Sequence, residues 1–185
     1  IVNVIVETTP NPVTMKFLPG CPVMTGGTAN YASPGEAGNA PLVQRLFEID
    51  GVAGVFLGAD FISVAKRTAV DWRSLEPVVA EAVSEFFLSG ETAVISEENN
   101  RDADDGDEDD ETVTRIKELL DTRVRPSVAM DGGDIVYRGF ERGVVYLGLK
   151  GACIGCPSSS ATLKMGVENL LKHYVPEVLR VKSID

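Results

Sequence analysis

Two cysteines, Cys153 and Cys156, stand three residues apart in the stretch Gly151-Ala-Cys-Ile-Gly-Cys-Pro157, and their flanks leave this part of the chain few ways to fold. Upstream, Val144-Val-Tyr-Leu-Gly-Leu149 puts Val145, Leu147 and Leu149 on one face at period two, which predicts a half-buried strand. Downstream, Pro157 suits the first position of a helix, where its missing N–H would have no partner anyway. Leu163, Val167, Leu170, Leu171 and Tyr174 then fall on one helical stripe. Cys156 is thereby expected beside the helix N-cap. Unpaired N–H groups and the positive end of the helix dipole favour a thiolate there, and the thiolate is the form that binds metal or attacks disulfides. Gly151 and Gly155 let the backbone come close to whatever the sulfurs hold.

The remaining chain divides by charge. Of the formal net charge of −11, most sits in Glu97 to Glu111, which carries ten carboxylates against one arginine. So many like charges with almost nothing apolar to bury predict a flexible, self-repelling linker. A calcium loop is the competing reading of an Asp-rich run, but the order of ligands, the central glycine and the entering helix of an EF-hand are missing. The divisions expected are a first domain over 1–90, the acidic linker over 91–111 and a second domain over 112–185. The second domain is mildly basic but has no Lys/Arg stripe interleaved with aromatics, so no nucleic-acid partner is expected. No apolar run approaches the length of a membrane span, and no membrane partner is expected.

In the first domain Val2, Val4 and Val6 alternate, a Pro-rich turn follows at Thr8 to Pro12, and Thr14 to Leu18 resumes as a second strand. Thr25 to Gly38 is rich in Gly, Ser, Thr and Ala and reads as a loop. Pro41 opens a helix with Leu42, Val43, Leu46 and Phe47 inward, stopping near Gly51. Val52 to Leu57 and Phe61 to Ala65 form a hairpin, and Ser74 is the expected cap of a last helix with Leu75, Val78, Val79, Val83 and Phe86 on its apolar face. In the second domain Thr112 caps a helix that Pro126 ends, and Asp131-Gly-Gly-Asp134 is a tight turn whose glycines permit positive φ. A hairpin around Glu141 to Gly143, the cysteine loop, its helix and a strand at Leu179 to Ile184 complete the chain. The fold class expected is α+β: two small domains, each a small sheet with helices packed on one face, joined by an acidic flexible linker.

Three readings of the thiol pair compete. A zinc knuckle needs a second pair of ligands, and His173 lies at the far end of the following helix, roughly 25 Å away at 1.5 Å of rise per residue. A redox dithiol resembles the thioredoxin arrangement, but a hairpin leads into the motif and no crossover unit is visible in the pattern. An iron-sulfur cluster wants four thiolates, which two chains related by a two-fold axis would supply. Cys21, between Gly20 and Pro22, has no partner thiol nearby in sequence and is left out of the site as an incidental thiol. Three cysteines without framework spacing point to a reducing compartment. The start at Ile1 without Met reads as a processed or trimmed chain.

The motifs Met130-Asp-Gly-Gly-Asp134 and Gly151-Ala-Cys-Ile-Gly-Cys-Pro-Ser-Ser-Ser160 resemble the C-terminal domain of the NifU-like family, in which the Cys-x-x-Cys binds an iron-sulfur cluster. Thr9-Pro-Asn-Pro-Val-Thr-Met-Lys-Phe-Leu-Pro-Gly20 resembles the opening of the N-terminal domain of Nfu proteins. The resemblance covers essentially the whole chain. It implies a non-enzymatic scaffold or carrier that holds a 4Fe-4S cluster between two subunits through Cys153 and Cys156. It further implies a homodimer on cluster binding, an upstream cluster-assembly machinery as donor, and apo iron-sulfur proteins such as lipoyl synthase and aconitase-type enzymes as recipients. Bacterial cytoplasm is the expected compartment, with the mitochondrial matrix as the alternative.

Overall fold

The computed structural model describes residues 2–94, 110–154, 156 and 160–184. Of the expected linker over 91–111, residues 95–109 lie outside the described residues, while Ala93 is buried in the core of the first unit and Glu111 opens a helix of the second. The chain packs as two compact units, divided between residues 100 and 101.

In the first unit β1 (Ile5–Thr8), β2 (Thr14–Leu18), β3 (Ala29–Tyr31), β4 (Val52–Leu57) and β5 (Ile62–Lys66) form an antiparallel sheet in the order β1-β2-β5-β4-β3. The expected loop at Thr25 to Gly38 therefore contains an edge strand. It is three residues long, and its pairing with β4, Ala29 opposite Leu57 and Tyr31 opposite Val55, compensates for a composition that favours turns. The turn between β1 and β2 is tied by its own polar groups. Thr9 Oγ1 donates to the Asn11 and Thr14 carbonyls at 2.9 Å each, and Trp72 Nε1 donates to the Pro12 carbonyl at 3.1 Å. Helices α1 (Pro41–Phe47) and α2 (Trp72–Leu88) cover the sheet face carrying Met15, Phe17, Val55, Leu57, Ile62 and Val64. The cap of α2 is Asp71, whose carboxylate accepts the Arg73 N–H at 3.0 Å, and not Ser74. Val78, expected inward, is exposed; Leu75, Val79, Val83 and Phe86 form the buried stripe.

In the second unit α3 (Glu111–Leu119) passes through a π-helical turn at Leu120–Val124 into α4 (Arg125–Met130). Pro126 therefore does not end the helix. It sits in the first turn of α4, where no N–H is needed, and the wider π turn ahead of it absorbs the change in winding. The cap of α3 is Asp110, accepting the Thr112 N–H at 2.9 Å, one more carboxylate doing what a hydroxyl was expected to do.

Strands β6 (Gly133–Glu141) and β7 (Val144–Gly151) form the hairpin. Their two-residue turn, Arg142 and Gly143, has both residues at positive φ, the primed turn whose twist matches a hairpin. From β7 the chain runs through the cysteine loop into α5 (Ser160–Tyr174) and returns as β8 (Arg180–Ser183), which pairs parallel to β7 with Val145 opposite Val181. That is a crossover unit, which the sequence pattern did not reveal. The core holds Ile116, Leu120, Ile135, Leu147, Val167 and Leu171. Tyr174, expected on the apolar stripe, is 40% exposed; Val175 and Val178 just beyond the helix are buried instead. Glu168 ties α5 to β8 by accepting the Val181 N–H at 3.1 Å while pairing with Lys172 at 2.6 Å. Both units are α+β with helices packed on a small sheet, as the sequence predicts.

Candidate functional site

The cysteine loop leaves β7 at Gly151, whose φ of 64° turns the chain sharply off the strand. Ala152 N–H then donates to the Gly132 carbonyl at 3.2 Å, and Ile154 N–H to the Gly151 carbonyl at 3.1 Å. The first bond lashes the loop to the turn at the start of β6, and the second closes a turn within the loop. That turn uses its two glycines differently. Gly132 stands at a φ of 82°, the expected positive-φ corner. Gly133 has no such φ; a Cβ there would lie 2.5 Å from Cys153 Sγ and 2.8 Å from the Lys150 carbonyl oxygen. Its missing side chain is the space the thiol occupies.

Cys153 is 4% exposed and Cys156 1%, and both are free thiols. Cys153 belongs to the apolar core of its unit. Burial pushes its thiol up from the ordinary 9.0 to about 12, with Asp131, the neighbouring Cys156 and Asp134 adding to the rise in that order. The dominant cause is loss of water, which disfavours the charged thiolate at Cys153. Cys156 lies four positions ahead of Ser160, where the described helix begins, and the expected role of Pro157 as first helical residue lies outside the described residues, as does Gly155.

Beneath the turn lies a charge pair that sequence reasoning missed. Asp134, 3% exposed, receives Arg125 Nε on Oδ1 at 2.9 Å and Nη2 on Oδ2 at 2.8 Å. Asp134 Oδ1 also accepts the Ile135 N–H at 2.8 Å, and Arg125 reaches Asp121 at 3.1 Å. These partners hold the guanidinium charged at any accessible pH. Nothing in the sequence signals the pairing, since it depends on the π turn aiming Arg125 at the start of β6.

Among the described residues no group of three or more His, Cys, Asp or Glu side chains converges as a metal site. His173 is exposed in the last turn of α5, edge-on to Tyr174 at 4.8 Å between ring centres, and is no ligand partner for the thiols. Cys21 is half-buried in a loop of the first unit. The arrangement presents two soft sulfur donors on one loop, half of what a tetrahedral metal or a cluster takes. No described helix is long and apolar enough to cross a membrane.

Residues 116–182 match the family described as NifU-like domain, and residues 4–90 the family described as scaffold protein Nfu/NifU N terminal. The chain is 46% identical over 179 residues to the human protein named NFU1 iron-sulfur cluster scaffold homolog, mitochondrial, covering 96% of this chain and 70% of that one. It is equally identical, 46% over 179 residues, to the protein of the same name from Drosophila sechellia, covering 96% of this chain and 63% of that one. The chain thus spans about two thirds of the length of these relatives. The solution NMR structure of a NifU-like protein from Saccharomyces cerevisiae is 23% identical with a TM-score of 0.48, covering 52% of this chain and 87% of that one.

Proposed function

Because the chain belongs to the Nfu family of iron-sulfur cluster scaffold proteins, we infer that it is a carrier and not an enzyme, with the cluster as its cargo. Cys153 and Cys156 are the ligands, and the cargo is a 4Fe-4S cluster shared by two subunits. The observation that carries this reading is the donor set: two thiols three apart on one loop, with no further ligand group among the described residues to complete a site. Four thiolates are needed, and a two-fold pair of chains supplies them. Both sulfurs are covered by their own unit, so loading requires them to be uncovered to meet the second chain. Each thiol gives up its proton when it binds iron, and transfer exchanges these thiolates one at a time for those of a recipient, the released thiols taking protons back.

Recipients are apo iron-sulfur proteins, with lipoyl synthase and aconitase-type enzymes as the classes the family resemblance implies, and an upstream assembly machinery is the donor. The acidic run within 91–111, up to the Asp110 cap of α3, serves as the linker between docking domain and carrier domain. The names of the relatives support the mitochondrial matrix over the bacterial cytoplasm.

Anaerobic reconstitution of the full chain with iron and sulfide, followed by iron, acid-labile sulfide and mass on one sample, tests the reading. About two irons per chain in a dimer is expected, and Cys153→Ser and Cys156→Ser are each expected to abolish loading with the fold retained. A thiol-disulfide oxidoreductase is the second reading, and the parallel β7-α5-β8 crossover around the cysteine loop favours it more than the sequence pattern did. A colourless monomer without iron, carrying a disulfide readily reduced by small thiols, would establish that reading instead.

A further inference from the structure

The chain positions Cys153 through a relay of contacts that starts well outside the cysteine loop. Arg125 stands where the π turn Leu120–Val124 hands over to α4, so its guanidinium is delivered by a rigid helical junction and not by a free loop. It grips Asp134 with two bonds of 2.9 and 2.8 Å, and the carboxylate in turn accepts the Ile135 N–H at 2.8 Å. Both carboxylate oxygens of Asp134 are thus engaged, tying the first residues of β6 to Arg125. Gly133, the residue before Asp134, is the surface that Cys153 rests on, close enough that a single methyl would strike the sulfur. Across the strands Gly133 faces Gly151 and Asp134 faces Lys150, so the same two residues also set the register from which the loop departs.

We propose that Arg125 and Asp134 are positioning residues for Cys153: their ion pair fixes the strand start against which the thiol is stowed, and so sets how readily the thiol comes free to bind its cargo. The geometry stands by itself; the consequence for loading rests on Cys153 being a cluster ligand. A forked guanidinium is required, because a lysine offers one point of charge and cannot make both bonds in fixed geometry.

The test uses the full-length apo chain with three thiols read by mass spectrometry during timed alkylation at neutral pH. Cys21, in the other unit, is the internal reference, and Cys156 reports general opening of the second unit. Arg125→Lys is expected to raise the alkylation rate of Cys153 relative to Cys21 on the order of tenfold, the factor one charge-assisted hydrogen bond supplies. Cys156 should rise less, and iron uptake during reconstitution should quicken in parallel. Asp134→Asn should act in the same direction. If Cys153 and Cys156 instead rise together in step with a fall in thermal midpoint, the pair is fold glue only and the proposal is overturned. An unchanged Cys153 rate at unchanged midpoint overturns it equally. Should Arg125→Lys fail to fold, Asp134→Asn, which keeps shape and one acceptor, carries the test. If wild-type chain takes up no iron, the carrier reading fails while the alkylation ratios still decide the positioning role.

Discussion

Gly133 is the residue on which the cysteine site leans most heavily. Gly133→Ala is expected to push Cys153 off its seat and destabilise the second unit by about 1–3 kcal/mol, the usual cost of overpacking. Iron per chain after reconstitution checks the first effect and chemical unfolding of the variant the second. That the two cysteines lie together just after a strand was legible in the sequence. The division of labour between Gly132 and Gly133 was not, because two adjacent glycines read as a turn whichever of them needs the freedom, and a steric requirement for no side chain leaves no mark in local pattern. The thiol of Cys153 carries a pH signature with a definite sign. Its folded value, about 12, lies above the ordinary 9.0, so the folded state holds a proton that the unfolded state releases between those values. That contribution to stability is complete below pH 9 and is lost as pH rises toward 12; urea midpoints of the apo chain across this range should fall. On the proposed function, cluster loading should move the other way at the acid end and weaken as pH drops, because each thiol must lose its proton to bind; iron per chain after reconstitution across the acid range checks it.

At the level of elements, hydrophobic period and turn residues located most strands and helices to within a few positions. What escaped were features set by distant parts of the chain. The three-residue strand β3 exists because β4 offers an edge, which no local composition encodes. The caps moved from Ser74 to Asp71 and from Thr112 to Asp110 because hydroxyl and carboxylate are equivalent signals in sequence, and only the entry angle of the chain chooses between them. Asp71→Ala and Asp110→Ala should each cost about 1 kcal/mol, read from thermal unfolding, with Thr112→Ala costing distinctly less. Pro126 was read as a terminator since a proline removes an i→i−4 bond, yet the π turn before it makes that bond unnecessary. The parallel pairing of β8 was likewise hidden: a four-residue strand with Val181 as its one buried position looks the same in sequence whichever way it lies.

For the whole molecule, the first unit closes its core around Phe17, Leu46 and Ile62, the second around Ile116, Leu147 and Leu171. Leu46→Ala should therefore lower one unfolding transition, by about 2–5 kcal/mol for a fully buried leucine, and leave the other where it was. Separate Trp72 fluorescence and second-unit amide exchange would follow the two transitions. Removing residues 97–109, which spares the Asp110 cap and Glu111 of α3, should leave both transitions in place and alter transfer to recipients, which would establish the run as a tether. The parallel strand β8 also orders events in time. The β6–β7 hairpin closes through a two-residue turn and needs only neighbours, whereas Val144 finds Arg180 only after the loop and all of α5 have been laid down. During synthesis both thiols emerge from the ribosome before the strand that completes their unit, so for that interval they are open to stray oxidants and metals. A cell making this protein has reason to shield a nascent chain until residues 180–183 are out.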